Sequence, residues 1–156
     1  MRRPAELLLV DDNPADLSLV REALAETDRQ SRLHCVEGGA EALAFLRRNG
    51  KYAHVVRPDL VILDLNLPKT GGLEVLAEVK ADPALRDIPV VVFSSSESRR
   101  DIARCYKLGA NCYVSKPGDL KRFFLVVQSI ERFWFSYASL PLKESNGSSN
   151  DARTAD

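Results

Sequence analysis

Short apolar runs in this chain end, one after another, on polar residues of related chemistry. Leu7 to Val10 runs into Asp11 and Asp12, Leu60 to Leu63 into Asp64, and Pro89 to Phe93 into Ser94, while Cys112 to Val114 leads through Ser115 to Lys116. If these runs are neighbouring parallel strands, their ends meet at one edge, where open α/β sheets bind ligands. Carboxylates gathered in a crevice repel one another, and burial sharpens the repulsion. Protonating one acid or binding a cation relieves it. Hard oxygen ligands with room for water favour Mg2+, held by one or two carboxylates and a phosphate oxygen. Lys116 balances the remaining charge and can pair with an incoming phosphoryl group, to which Ser94 offers a hydroxyl donor. Such a set is what a carboxylate needs to accept a phosphoryl group.

Taken singly, each residue has a plainer role. Asp11 or Asp12 can cap the helix that Asn13-Pro14 opens. Asp64 can cap a turn, Ser94 can end a strand, and Lys116 can be a solvated charge. Each plain role is the commoner one for a lone residue. Their joint placement at four strand ends is what argues for a site.

Positioning that site takes strands alternating with helices, and the pattern supplies them. Leu7 to Val10 reads as a strand buried on both faces. Proline fits the first turn of the next helix, in which Leu17, Val20 and Leu24 mark one face at spacings of three and four. Leu33 to Val36 is a weaker second strand, and Gly38-Gly39 precedes a helix over Ala40 to Leu46. Residues 49–58 read as a loop. Gly71-Gly72 leads into a helix from Leu73 to about Ala81, and Ile102 to Leu108 forms another, ended by Gly109. The last helix starts near Asp119 and continues into the 130s. Five such units predict an α/β fold, a parallel sheet with helices on both faces.

Composition bounds the rest. A chain of 156 residues is one ordinary domain, and 45% hydrophobic content supplies its core. Basic and acidic residues balance at 22 each, which leaves no global electrostatic footprint for nucleic acid. No apolar run approaches the ~18 residues that span a bilayer, and Met1-Arg2-Arg3-Pro4 does not open a secretory signal. Cys35, Cys105 and Cys112 form no C-x-x-C pair and read as small buried hydrophobes in a reducing cytosol. The expectation is a cytoplasmic protein without nucleic-acid or membrane partners. The polar stretch 143–156 is expected to be a disordered tail. His34, His54 and Arg99-Arg100 are expected to be structural or solvated, and the glycine pairs do not make a phosphate-cradling loop.

Leu7 to Asp12, Asp64 to Pro68, Ser94-Ser95 and Tyr113 to Pro117 together resemble the signature of two-component response-regulator receiver domains, over roughly residues 5–130. That resemblance implies a flavodoxin-like, doubly wound (βα)5 fold with strand order 2-1-3-4-5, in a receiver domain spanning 5–142. It implies Asp64 as phosphoacceptor, and Asp11 and Asp12 as the metal-binding pair with Asp12 the direct ligand. Asn66 would lend its backbone carbonyl to Mg2+. Ser94 and Tyr113 would be the switch pair and Lys116 the phosphate-pairing lysine, with Pro117 following a cis peptide bond. Ser95 stands where receivers usually carry Ala, which bears on the dephosphorylation rate. The ending Phe133 to Pro141 is similar to stand-alone regulators that pair with cyanobacterial and bacterial phytochrome kinases. A sensor histidine kinase of that type is the implied partner.

Other functions fit less well. A phosphohydrolase with an aspartyl nucleophile, of haloacid-dehalogenase type, needs a second acid where Asn66 stands. An FMN carrier needs a hydroxyl- and glycine-rich loop where Asp11-Asp12 would repel phosphate, and the intact acid set argues against a pseudo-receiver. No effector domain is expected after the last helix, so the output is a binding event, including phosphate passage to another protein. The last helix carries more apolar residues than one buried face needs. That excess predicts a homodimer anchored by Phe133, Trp134 and Phe135, with folding back onto the domain as the rival arrangement.

Overall fold

The computed structural model describes residues 3–141. Its strands are β1 (Ala5–Val10), β2 (Ser31–Val36), β3 (Leu60–Leu63), β4 (Val90–Ser94) and β5 (Cys112–Ser115). Between and after them run α1 (Pro14–Ala25), α2 (Gly39–Arg47), α3 (Gly72–Ala81), α4 (Arg99–Leu108) and α5 (Leu120–Arg132). The strands are all parallel, in the order β2-β1-β3-β4-β5. This is the flavodoxin-like arrangement that the resemblance implies.

Each central strand serves two cores. Leu8, Val10, Val61, Leu63 and Val92 pack against α2, α3 and α4 through residues such as Phe45, Leu76 and Cys105. Leu7, Leu9, Ile62, Val91 and Phe93 pack against α1 and α5 through Val20, Leu24, Phe123 and Val127. With both faces covered, β1, β3 and β4 have no polar side to alternate with, which is why they read as continuous apolar runs.

The edges differ from the sequence pattern for physical reasons. β2 starts at Ser31, two residues before its apolar part, because the parallel register already pairs Ala5 with Ser31 and Glu6 with Arg32. In α4, the Ser98 hydroxyl accepts from the Asp101 N–H at 3.2 Å, so the helix starts at Arg99 ahead of its first apolar residue. The loop 49–58 contains a 3₁₀ turn, Gly50–Tyr52, whose Tyr52 ring lies 5.2 Å from Phe45. His34 is structural, its Nε2 lying 2.7 Å from the buried Glu6 carboxylate, and His54 is exposed. A second buried acid, Glu131, accepts from Arg29 Nε at 3.2 Å and Ser31 Oγ at 2.7 Å, which ties the end of α5 to the start of β2.

Two features of the chain's second half depart from expectation or extend beyond it. The Lys116–Pro117 bond is trans, not cis. The Lys116 N–H bonds the Ser94 carbonyl at 2.8 Å, carrying the β4–β5 ladder up to the proline, and trans is the lower-energy isomer for X–Pro bonds. After Arg132, α5 passes directly into a π-helical turn, Phe133–Tyr137, and the chain turns extended at Ala138. Leu142 and the tail 143–156 lie outside the described residues. No helix among the described residues is long and apolar enough to cross a membrane.

Candidate functional site

The sheet ladders run one residue past β1 and β3 and so fix the two central acids. Asp11 N–H bonds the Val36 carbonyl at 3.1 Å, and Asp64 N–H bonds the Val10 carbonyl at 2.9 Å. Both side chains are buried. Asn13, not either aspartate, caps α1: its side chain accepts from the N–H groups of Ala15 and Asp16 at 2.9 and 3.2 Å. Asp11 Oδ1 instead accepts from the Asn13 N–H at 2.9 Å, which orients its other oxygen toward the cleft. Asp12 is exposed at the rim, and Asn66 N–H reaches Asp64 Oδ1 at 3.3 Å.

The acids converge. Asp11, Asp12 and Asp64 each place a carboxylate oxygen within 4.8 Å of the others. This all-oxygen set fits a hard divalent cation, Mg2+ or Mn2+, far better than a thiolate- or imidazole-seeking metal. A bound cation supplies charge neutralisation for the oxygens of a transferring phosphoryl group.

Lys116 is not the solvated surface lysine of the plain account. Its side chain is only 7% exposed, and its ammonium contacts Asp11 Oδ2 at 2.8 Å, Asp64 Oδ2 at 3.1 Å and Asp16 Oδ2 at 2.7 Å. Burial works against its charge, but the bonds to Asp11 and Asp16 and the charges of Asp11 and Asp64 outweigh it and hold its pKa well above the usual lysine value. Burial also pushes the Asp11 carboxyl upward, against the pull of Lys116 and the Asn13 N–H. One ammonium shared among several acids leaves the cluster short of positive charge.

Ser94, at the end of β4, is fully buried, and its Oγ accepts from the Ser96 N–H at 3.3 Å. Tyr113 lies half-buried beside it: its hydroxyl donates to the Ser96 carbonyl at 2.8 Å, while its own N–H bonds the Tyr106 hydroxyl at 3.1 Å. The loop between β4 and α4 is thus held by Ser94 on one side and Tyr113 on the other. The sequence reading missed Asp16. A strand-end argument cannot see a helical residue, although side chains in a helix's first turn lean back toward its N-terminus, which here faces the cleft.

The aromatic ending is split. Trp134 and Phe135 pack partly against the core shared with α1 and α5, while Phe133 is 52% and Tyr137 70% exposed. Phe133 and Trp134 also line an open apolar groove of about 500 Å³ with Val114, Leu125, Val126 and Ile130.

Comparison with known proteins agrees with this geometry. Residues 7–128 match the family described as the response regulator receiver domain. The chain is 45% identical to response regulator Rcp1 of Synechocystis sp. over 138 residues, 88% of this chain and 94% of that protein. The crystal structure of the phosphorylated cyanobacterial phytochrome response regulator RcpA is 48% identical, covers 90% of this chain and 100% of its own, and superposes with a TM-score of 0.87. The Mn2+-bound form of Rcp1 is 45% identical over 89% of this chain and 100% of its own, with a TM-score of 0.85. Asp11, Asp12 and Asp64 form the acidic pocket typical of the divalent-metal site of these proteins. With its fold, acid pocket and most of its length accounted for, this chain belongs to the response regulator receiver domain family.

Proposed function

We propose that this chain is a cytoplasmic response regulator that accepts a phosphoryl group on Asp64 from a sensor histidine kinase of the phytochrome class. The observation that carries the proposal is the Lys116 ammonium bridging Asp11 and Asp64 inside a cluster of carboxylate oxygens. Asp64 attacks the phosphorus in line: an Oδ–P bond forms as the bond to the kinase imidazole nitrogen, or to the oxygen of a small acyl phosphate, breaks. Asp11, Asp12, Asp64 and the Asn66 carbonyl hold Mg2+. Lys116 pairs with a phosphoryl oxygen, and the Ser94 hydroxyl donates to another. The chain thereby promotes only its own phosphorylation and dephosphorylation.

Phosphorylation adds charge and acceptor oxygens beside Ser94. Ser94 Oγ now bonds the Ser96 N–H, so turning it toward a phosphoryl group changes the hold on the loop that Tyr113 grips from the other side. The face formed by α4, β5 and α5 therefore has two arrangements to choose between. A homodimer built on that face, with Phe133, Trp134 and Phe135 as its anchor, is the proposed assembly. The relatives' association with phytochrome signalling supports the choice of kinase.

Incubation with a small phosphodonor and Mg2+, followed by peptide mass analysis, tests the core of the reading. Label is expected on Asp64, lost in Asp64→Asn and absent when a chelator removes the cation. Label at normal yield in Asp64→Asn, or undiminished in chelator, would overturn it. An unlabelled wild type would leave a pseudo-receiver.

A further inference from the structure

Asp16 is the contact in the cluster that the receiver reading leaves without a role. It stands in the first turn of α1, where the Asn13 side chain binds its N–H at 3.2 Å and fixes that turn. Its carboxylate makes the shortest of the three bonds to Lys116 Nζ, 2.7 Å against 2.8 and 3.1 Å. An ammonium has three N–H donors, and here each has one carboxylate. Asp11 and Asp64 belong to the group whose oxygens could share a cation, and Asp16 does not. A cation entering that group competes with Lys116 for Asp11 and Asp64. Asp16 lies to one side, half-buried, and remains available to the ammonium throughout.

We propose that Asp16 is a positioning residue that draws the Lys116 ammonium to the rim of the cluster, so that a divalent cation can take the Asp11 and Asp64 oxygens. The proposal rests on the receiver reading of the site. Without Asp16, Lys116 keeps its charge inside the cleft by staying on Asp11 and Asp64, where it opposes the cation. The same carboxylate leaves Lys116 an ionic partner when it turns one donor toward a phosphoryl group on Asp64.

Calorimetric titration of the full chain with Mg2+ tests this, together with a Lys116→Met background. Asp16→Ala is expected to weaken Mg2+ binding about tenfold, within the range found for residues that orient metal ligands from outside. Asp16→Glu should recover most of the affinity. In Lys116→Met the Asp16→Ala change should cost less than about twofold, because the residue through which it acts is gone. An equal loss in both backgrounds would show a plain charge effect and overturn the proposal, as would unaltered Mg2+ affinity in Asp16→Ala. Thermal melting in chelator separates misfolding from altered binding, and an Asp16→Asn variant, which exposes no new cavity, replaces Asp16→Ala if the latter melts early. Wild-type protein that binds no Mg2+ and takes no phosphate would instead defeat the receiver reading itself.

Discussion

At the scale of single residues, burial decides which groups react. Cys105, on the inner side of α4, is fully enclosed, and burial, aided by the Asp101 charge, raises its thiol from the ordinary value of 9.0 to about 11. Burial raises Cys35 and Cys112 as well. The thiolate is the reactive form, so at pH 8 a thiol reagent should modify the native protein slowly, Cys105 last, and denatured protein rapidly at all three sites. Rapid native labelling of Cys105 would contradict its enclosure. The sign for stability follows from the same shift: a folded value above the unfolded one favours the neutral thiol in the folded state. That contribution is complete below pH 9 and is lost as pH rises through about 11. Cys105→Ala should therefore lower the unfolding free energy at neutral pH while flattening its decline between pH 9 and 11. Denaturant titrations across that range check both parts. The acids, Ser94 and Lys116 were legible in the sequence because each closes or follows an apolar run. Asp16 was not, because its partner lies a hundred residues away and only the fold brings them together.

At the scale of elements, the turn after β3 shows how closely helices must approach the strand ends to position Asp64. A Cβ placed on Gly72 would collide with the Asp64 carbonyl oxygen and lie 2.6 Å from the Leu65 Cα. Those are backbone atoms that cannot swing aside, and the Gly72 N–H also bonds the Leu65 carbonyl at 3.1 Å. Gly72→Ala should cost about 1–3 kcal/mol, the usual penalty of overpacking. Gly118→Ala provides the control, since a Cβ there meets nothing within 4 Å, and its effect should stay within about 0.5 kcal/mol. Equal urea midpoints for the two variants would refute the steric argument. Gly71-Gly72 could be read from sequence only as a break between strand and helix. Which glycine touches the backbone of the acid-bearing turn depends on α3 docking against it, and no local pattern records that. The weak β2 signal has a related cause: an edge strand with half-buried residues lacks the run that marks a central one.

At the scale of the whole molecule, the alternation of five strand–helix units was legible because strands with both faces covered read as continuous apolar runs, whereas their order came only with the family resemblance. The ending was not, since an apolar excess states only that something covers it. In the structure the excess divides. Trp134 and Phe135 face the protein's own core, which is part of the fold-back arrangement, whereas Phe133, Leu125 and Tyr137 stand 52, 57 and 70% exposed. Phe133 and Leu125 border the apolar groove beside β5, itself an edge strand with an unpaired side among the described residues. A second copy related by a two-fold axis would cover the groove and the edge together, using the same patch twice. Trp134→Ala is a poor probe of that assembly, because it also removes packing from the domain. Phe133→Glu and Leu125→Glu change exposed positions and should leave the melting temperature of the monomer nearly unaltered. Aromatic residues at the centre of an interface commonly carry more than ~2 kcal/mol, so Phe133→Glu should raise the dimer dissociation constant at least tenfold. Sedimentation equilibrium across a concentration series, with and without phosphodonor, measures it. Wild type that stays monomeric at the highest concentration in both states would rule out the dimer and leave the groove to a different protein.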